Sequence, residues 1–195
     1  MSQRKYVVDL LDETRMLGSE PLDTPMDPNQ KLMIDDGDIL EDPEKYRRLM
    51  GKLNYLTVTR PDIAFPMSVV SQFLSSPRSS HCDVVIRILK YLKGIPRRRL
   101  LYCDHGHCRV EGFFNANWAG SPSDRRPTSG YCVFNGSNLV SWKSMKQMNA
   151  LHERTKHIEV DCHFIYEKLQ QKLISTNFVR TNEQLADVFT KSLDS

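Results

Sequence analysis

The run Gly130-Tyr131-Cys132-Val133-Phe134-Asn135-Gly136-Ser137-Asn138-Leu139-Val140-Ser141-Trp142-Lys143 decides the fold class of this chain. Residues 130–134 and 139–143 are short stretches rich in aromatic and β-branched side chains, and Asn135-Gly136 between them tolerates the left-handed backbone that a tight hairpin needs. Residues 109–114 have the same character, and residues 100–103 form a shorter stretch of it. Such short strands, joined by turns rather than crossover helices, predict an antiparallel meander. The segments on either side follow a helical period, so the whole chain reads as α+β.

Toward the N-terminus, residues 3–17 place Tyr6, Val7, Leu10, Leu11 and Leu17 on one side of a helix that Gly18 would stop. Residues 18–42 carry Pro21, Pro25 and Pro28 without a sustained period and read as an extended, exposed linker. The Asp35-Asp36-Gly37-Asp38 run lacks the ligand spacing and closing Glu of a calcium loop and reads as a solvated turn. Asp42 as N-cap and Pro43 at the first helical position open a helix with Tyr46, Leu49, Met50, Leu53 and Leu56 on one face. Pro61 starts a second apolar segment, residues 63–74, which Pro66 kinks or delays because it lacks an N–H. Ser79 or Ser80 caps a third helix through Leu92, ended by Gly94 and Pro96. Beyond the meander, residues 151–173 carry Ile158, Cys162, Ile165 and Leu169 at helical spacing. Residues 177–180 suggest a strand and residues 183–193 a last short helix.

Bulk properties narrow the function classes. A 195-residue chain has room for roughly one or two domains, and a mean hydropathy of -0.48 with 26% charged residues is that of a soluble globular protein. No apolar run approaches the roughly 18 residues of a spanning helix, and Ser2-Gln3-Arg4-Lys5 opens no signal peptide. The expectation is an intracellular chain with no membrane partner. Five scattered cysteines, an odd number, suit reduced thiols better than a disulfide framework.

A net charge of +3 does not by itself imply a nucleic-acid partner, so local clusters must carry that argument. Arg97, Arg98 and Arg99, preceded by Arg87, Lys90 and Lys93, form the best candidate patch for weak RNA or DNA binding through phosphates. The same residues also suit a solvated basic helix end. Cys103, His105, His107 and Cys108 have the composition of a metal cluster. Four ligands in so short a run cannot readily surround one tetrahedral ion, however, so they read as a loop. His152, His157 and His163 are spaced to scatter around a helix and not to converge. Trp118 and Tyr131 read as packing residues rather than base-stacking platforms.

One further motif carries a resemblance. Gly112-Phe113-Phe114-Asn115-Ala116-Asn117-Trp118-Ala119-Gly120, followed by Asp124, Arg125, Arg126, Thr128, Ser129, Gly130 and Tyr131, resembles the first catalytic strand and hairpin of the ribonuclease H domain in copia-type retrotransposon Pol polyproteins. Residues 2–11 and 24–29 are similar to the end of that family's reverse transcriptase region. Residues 46–56, Arg60-Pro61-Asp62-Ile63, Ser71-Gln72-Phe73 and residues 87–94 are similar to its connecting helices. Residues 130–134, 140–144, 152–165 and 184–191 resemble later parts of the nuclease, in the same order. The resemblance implies four regions: 1–17 the end of the reverse transcriptase, 18–42 a linker, 43–96 a helical connection region, and 97–195 an internally deleted ribonuclease H-like unit. That unit is expected to hold a three-stranded antiparallel meander and C-terminal helices.

The departures from the family pattern point away from chemistry. Asn115 and Asn117 stand where the family has Asp, and Tyr102-Cys103-Asp104-His105 does not supply a polymerase's paired carboxylates. Residues 147–151 replace a longer family segment that carries a catalytic Glu and Asp, which leaves Glu159 alone near a family carboxylate position. Two divalent cations about 4 Å apart repel by about 16 kcal/mol even at an effective dielectric of about 20, so several carboxylates are needed to hold them. The expectation is a pseudoenzyme with no intact catalytic residue, a lost magnesium site, no cofactor and no small-molecule substrate. A residual nucleic-acid-binding module using the Arg97 cluster is the second reading, and an active RNA–DNA hybrid nuclease the third.

Overall fold

The computed structural model describes residues 3–117, 128–146, 171, 175 and 177–192. Four α-helices come first: α1 Arg4–Glu13, α2 Pro43–Leu56, α3 Ala64–Val70 and α4 Ser79–Gly94. Three strands follow, β1 Val110–Asn117, β2 Thr128–Asn135 and β3 Asn138–Lys146, and the described chain closes with two short 3-10 helices, Thr181–Glu183 and Leu185–Phe189. The architecture is mixed helix and antiparallel sheet. Among the described residues no helix is long and apolar enough to cross a membrane.

The helices obey their local chemistry, with two corrections at their ends. Asp42 caps α2 by accepting from the Lys45 N–H at 3.0 Å, and Pro43 sits at the first position, as its missing donor allows. Pro66 falls in the first turn of α3, after a 3-10 turn at Pro61–Ile63, so the helix is delayed and not broken. α1 stops at Glu13 and not at Gly18, because Arg15 adopts a left-handed φ of 56° and Thr14 Oγ1 donates to the Leu10 carbonyl at 2.7 Å. The cap of α4 is neither serine. Arg78 is the N-cap residue, and its N–H donates to His81 Nδ1 at 3.0 Å while Nε2 of the same ring donates to the Met33 carbonyl at 2.8 Å.

One core joins all four helices. Val7, Leu10 and Leu11 of α1 pack with Tyr46, Met50, Leu53 and Leu56 of α2 and with Val84, Val85, Ile88 and Leu92 of α4. Residues 18–42 have little regular structure and are exposed over much of their length, yet Met26 and Leu32 are buried in that core, so the linker is also a strap packed down at these points. Its acidic turn is docked on α4: Asp38 N–H donates to Ser79 Oγ, Ser79 N–H to the Asp38 carbonyl, and Arg78 pairs with Asp35 at 3.0 Å.

The sheet is the expected meander, in the order β1-β2-β3 and antiparallel throughout. Its hairpin turn lies one residue later than Asn135-Gly136. Asn135 pairs with Asn138, and the two loop residues Gly136 and Ser137 both have positive φ, 53° and 62°, as a two-residue turn of the primed type requires. Residues 100–103 are not a strand; Asn138 clamps them by accepting from the Cys103 N–H and donating to the Cys103 carbonyl, both at 2.8 Å. Residues 177–180 form no strand either, and the C-terminal helix is shorter and tighter than expected. The side chain of Gln184 explains both: it donates to the Phe114 carbonyl at 3.1 Å on the β1 edge and caps the final 3-10 helix by accepting from the Ala186 N–H.

A second core lies between the sheet and the helices, built on Cys132, Ala64, Ala186 and Phe189 with Phe113, Phe134, Leu139, Trp142 and Val188 around them. Trp142 Nε1 donates across this boundary to the Thr57 carbonyl at 3.0 Å, and the hydroxyls of Ser68 and Ser144 meet at 2.8 Å.

Candidate functional site

Along β1 side chains alternate in direction, so Phe113 enters the second core while Phe114, 63% exposed, faces outward. Two residues beyond Phe113, Asn115 points the same way and meets the end of the chain. Its Nδ2 donates to Asp187 Oδ1 at 2.6 Å and to Thr190 Oγ1 at 3.0 Å. An ionised carboxylate can only accept, so the amide nitrogen and not the oxygen must face Asp187. Lys191 Nζ pairs with the other carboxylate oxygen at 2.5 Å, and Thr190 Oγ1 donates to the Asp187 carbonyl at 3.1 Å. Asp187 was missed in the sequence because it lies 72 residues from Asn115, although it sits inside the Gln184–Lys191 block.

This arrangement does not fit a divalent cation. Each oxygen of Asp187 is met by a donor, an amide N–H on one and an ammonium on the other. Among the described residues no three or more His, Cys, Asp or Glu side chains are grouped to hold a metal. Asn117 ends β1 opposite Thr128. Cys103, His105, His107 and Cys108 lie along an exposed loop, where His107 Nδ1 accepts from the Arg109 N–H at 3.3 Å. Glu159, Trp118, Asp124 and the histidines at 152, 157 and 163 lie outside the described residues, as does most of the 151–173 segment.

The basic residues divide into two groups with different partners. Arg87 donates to the Thr24 carbonyl at 3.3 Å and to Thr24 Oγ1 at 2.9 Å, and the Lys93 ammonium donates to the Ser19 carbonyl, so both fasten the 18–42 strap to α4. Lys90 beside them is half-buried. Arg97, Arg98 and Arg99 lie beyond the helix end and are exposed. Arg98 joins a buried cluster in which Arg60, 3% exposed, holds Asp62 through Nε at 2.9 Å and a terminal nitrogen at 2.7 Å. Tyr91 hydroxyl donates to Asp62 at 2.7 Å, and Arg98 reaches the Tyr91 hydroxyl at 2.9 Å and Asp62 at 3.4 Å. Burial pushes the Asp62 carboxyl up, but the hydrogen bonds and charge of Arg60, with those of Tyr91 and Arg98, outweigh it and hold the group below its usual value.

With this geometry in view, relatives can be compared along the whole chain. The chain is 31% identical to the retrovirus-related Pol polyprotein from transposon RE1 of Arabidopsis thaliana over 99% of its own length, and 27% identical to that from transposon TNT 1-94 of Nicotiana tabacum over 98%. Over nearly its whole length the chain is homologous to copia-type transposon Pol polyproteins. It spans 17% of the length of the RE1 polyprotein, so its relationship is to one part of such a Pol protein. The alignment with that polyprotein runs over 247 residues and takes in 99% of this chain, so it is longer than the 195 residues of the chain itself. An uncharacterized mitochondrial protein of Arabidopsis thaliana is 33% identical over 80% of this chain, and 65% of that protein is covered. No family model matches the chain, and no solved structure matches it.

Proposed function

We propose that this chain is a transposon-derived remnant of the C-terminal part of a Pol polyprotein, with a ribonuclease H-like unit that no longer performs catalysis. The observation that carries the reading is the hydrogen bond from Asn115 to Asp187. On the family pattern the position of Asn115 bears a carboxylate, and two facing carboxylates are what a divalent cation bridges. Here an amide supplies the bridging donor instead. The neutral side chain lets β1 and the tail close directly on each other, and Lys191 supplies the remaining positive charge. An alignment longer than the chain itself agrees with the same reading, in which the family resemblance implies that residues 147–151 replace a longer segment bearing two further catalytic carboxylates.

The test is an RNA–DNA hybrid cleavage assay on the full chain with magnesium and with manganese. The expected result is no cleavage above the buffer control, and metal-dependent cleavage that disappears on addition of chelator would overturn the reading.

A second reading, a residual nucleic-acid-binding module, draws on Arg97 and Arg99, which are exposed and make no ion pair with any described residue. Hybrid binding that weakens with salt and is lost when Arg97, Arg98 and Arg99 are changed to Ala would favour it. Salt-insensitive binding, or none, would exclude it.

A further inference from the structure

The Pro61 turn, the crossing of the chain at residues 98–100 and the 3-10 helix Leu185–Phe189 enclose a cavity of about 340 Å³. It is separate from the Asn115 cleft, which opens on Gly112–Ala116 of β1 and on Asp187. Its floor is apolar, made by Cys132, Phe134 and Leu139 of the sheet with Val188 and Phe189. Its mouth carries Arg98 and Arg99, and Leu185, half exposed, forms a lip. Thr59 and Asp62 are the polar groups on its helical side.

The charges around the cavity do not balance. Arg60 and Arg98 surround the single carboxylate of Asp62, which leaves one positive charge in excess, and Arg99 adds a second at the mouth. Arg98 is also held in place. Both of its contacts to Tyr91 and Asp62 run through one terminal nitrogen, so among the described residues its Nε and other terminal nitrogen carry no hydrogen bond. A guanidinium already fixed by its neighbours binds an anion with little further loss of side-chain freedom.

We propose that this cavity binds a nucleoside phosphate, with the base among Phe134, Leu139 and Val188 and the phosphate on Arg98 and Arg99. Three features select this class. The volume is at the lower end for small-molecule sites, which suits one ring system and a sugar. Two neighbouring arginines at the mouth match the several oxygens of a phosphate better than a single carboxylate. The polar groups of the walls are already paired, Asp62 with Arg60, Tyr91 and Arg98 and the Thr59 hydroxyl with Gln3, so the apolar floor is what remains to pack against a ring system. The ligand is either a free mononucleotide or one nucleotide of a single strand, and the inference does not depend on whether nuclease chemistry survives.

Calorimetric titration of the full chain with adenosine monophosphate, adenosine, inorganic phosphate and a short single-stranded DNA tests it. Adenosine monophosphate or the single strand binds, and adenosine and phosphate alone each bind at least about tenfold more weakly. Arg99→Ala weakens binding by about tenfold or more, as expected for one lost charge-assisted contact. Leu185→Glu, at an exposed lip position, abolishes it while circular dichroism stays unchanged. Binding of the mononucleotide identifies a free ligand, and binding of the single strand alone identifies a strand site. No binding by either, phosphate binding as tight as that of the mononucleotide, or binding untouched by both substitutions would overturn the proposal.

Discussion

Asn115 joins two parts of the chain 72 residues apart through one amide nitrogen. Asn115→Asp exchanges that donor for a second negative charge against Asp187, so it loses two hydrogen bonds and adds like-charge repulsion. The expected cost is about 2 kcal/mol of stability in chelator, read as a lower midpoint of denaturant unfolding, because polar groups at a part-buried contact are left unpaired. Millimolar magnesium should recover part of the loss in this variant and leave the parent chain unchanged; a variant as stable as the parent in chelator would show that the amide is not holding the tail. Cysteine reactivity tests the burial of the second core at the same scale. Burial pushes the Cys132 thiol up to about 11, with a weaker opposing effect from a backbone hydrogen bond to Phe113, whereas Cys103 and Cys108 are exposed. Alkylation near neutral pH followed by peptide mass mapping should label Cys103 and Cys108 well before Cys132.

Strand β2 and the final 3-10 helix approach each other at Gly130, where an added Cβ would lie 2.6 Å from Phe189 Cβ. Gly130→Ala should therefore cost about 1–3 kcal/mol through overpacking, measured by denaturant unfolding, with little change in secondary structure by circular dichroism. The Pro61 turn has a different dependence, set by charge. Asp62 titrates below its usual value in the fold, so the stability it contributes is present above about pH 4 and is lost as the pH falls through its folded value. Asp62→Asn leaves Arg60 buried without its ionic partner and should cost about 3–5 kcal/mol at neutral pH. The same variant should show a shallower loss of stability below about pH 4 than the parent, and an unchanged acid profile would show that Asp62 does not govern it.

Across the whole molecule, the helical core and the sheet core meet through Trp142, Ser144 and the residues around Ala64. Because the sheet is fastened to the helices by packing and by the bond from Trp142 to Thr57, the two should unfold together. Coincident transitions by far-ultraviolet circular dichroism and by tryptophan fluorescence are expected, and Trp142→Phe, which removes the fluorescent probe at the boundary and is followed by circular dichroism, should broaden the unfolding transition. The sequence by itself determined much of this. The aromatic and β-branched stretches around Asn135-Gly136 dictated a three-stranded meander, and Asp42-Pro43 with its apolar stripe dictated α2, because strand period, turn chemistry and capping act between near neighbours. Sequence similarity likewise reached the family, since many ordered motifs survive independently of one another. Other features depended on contacts between residues far apart in the chain. The packing of the 18–42 strap, the spending of Arg87 and Lys93 on that strap, the buried pair of Arg60 and Asp62, and the meeting of Asn115 with Asp187 arise only when the elements close on each other. No local pattern encodes such encounters. Only the tertiary structure decided them, because desolvation and charge pairing depend on which distant groups burial brings together.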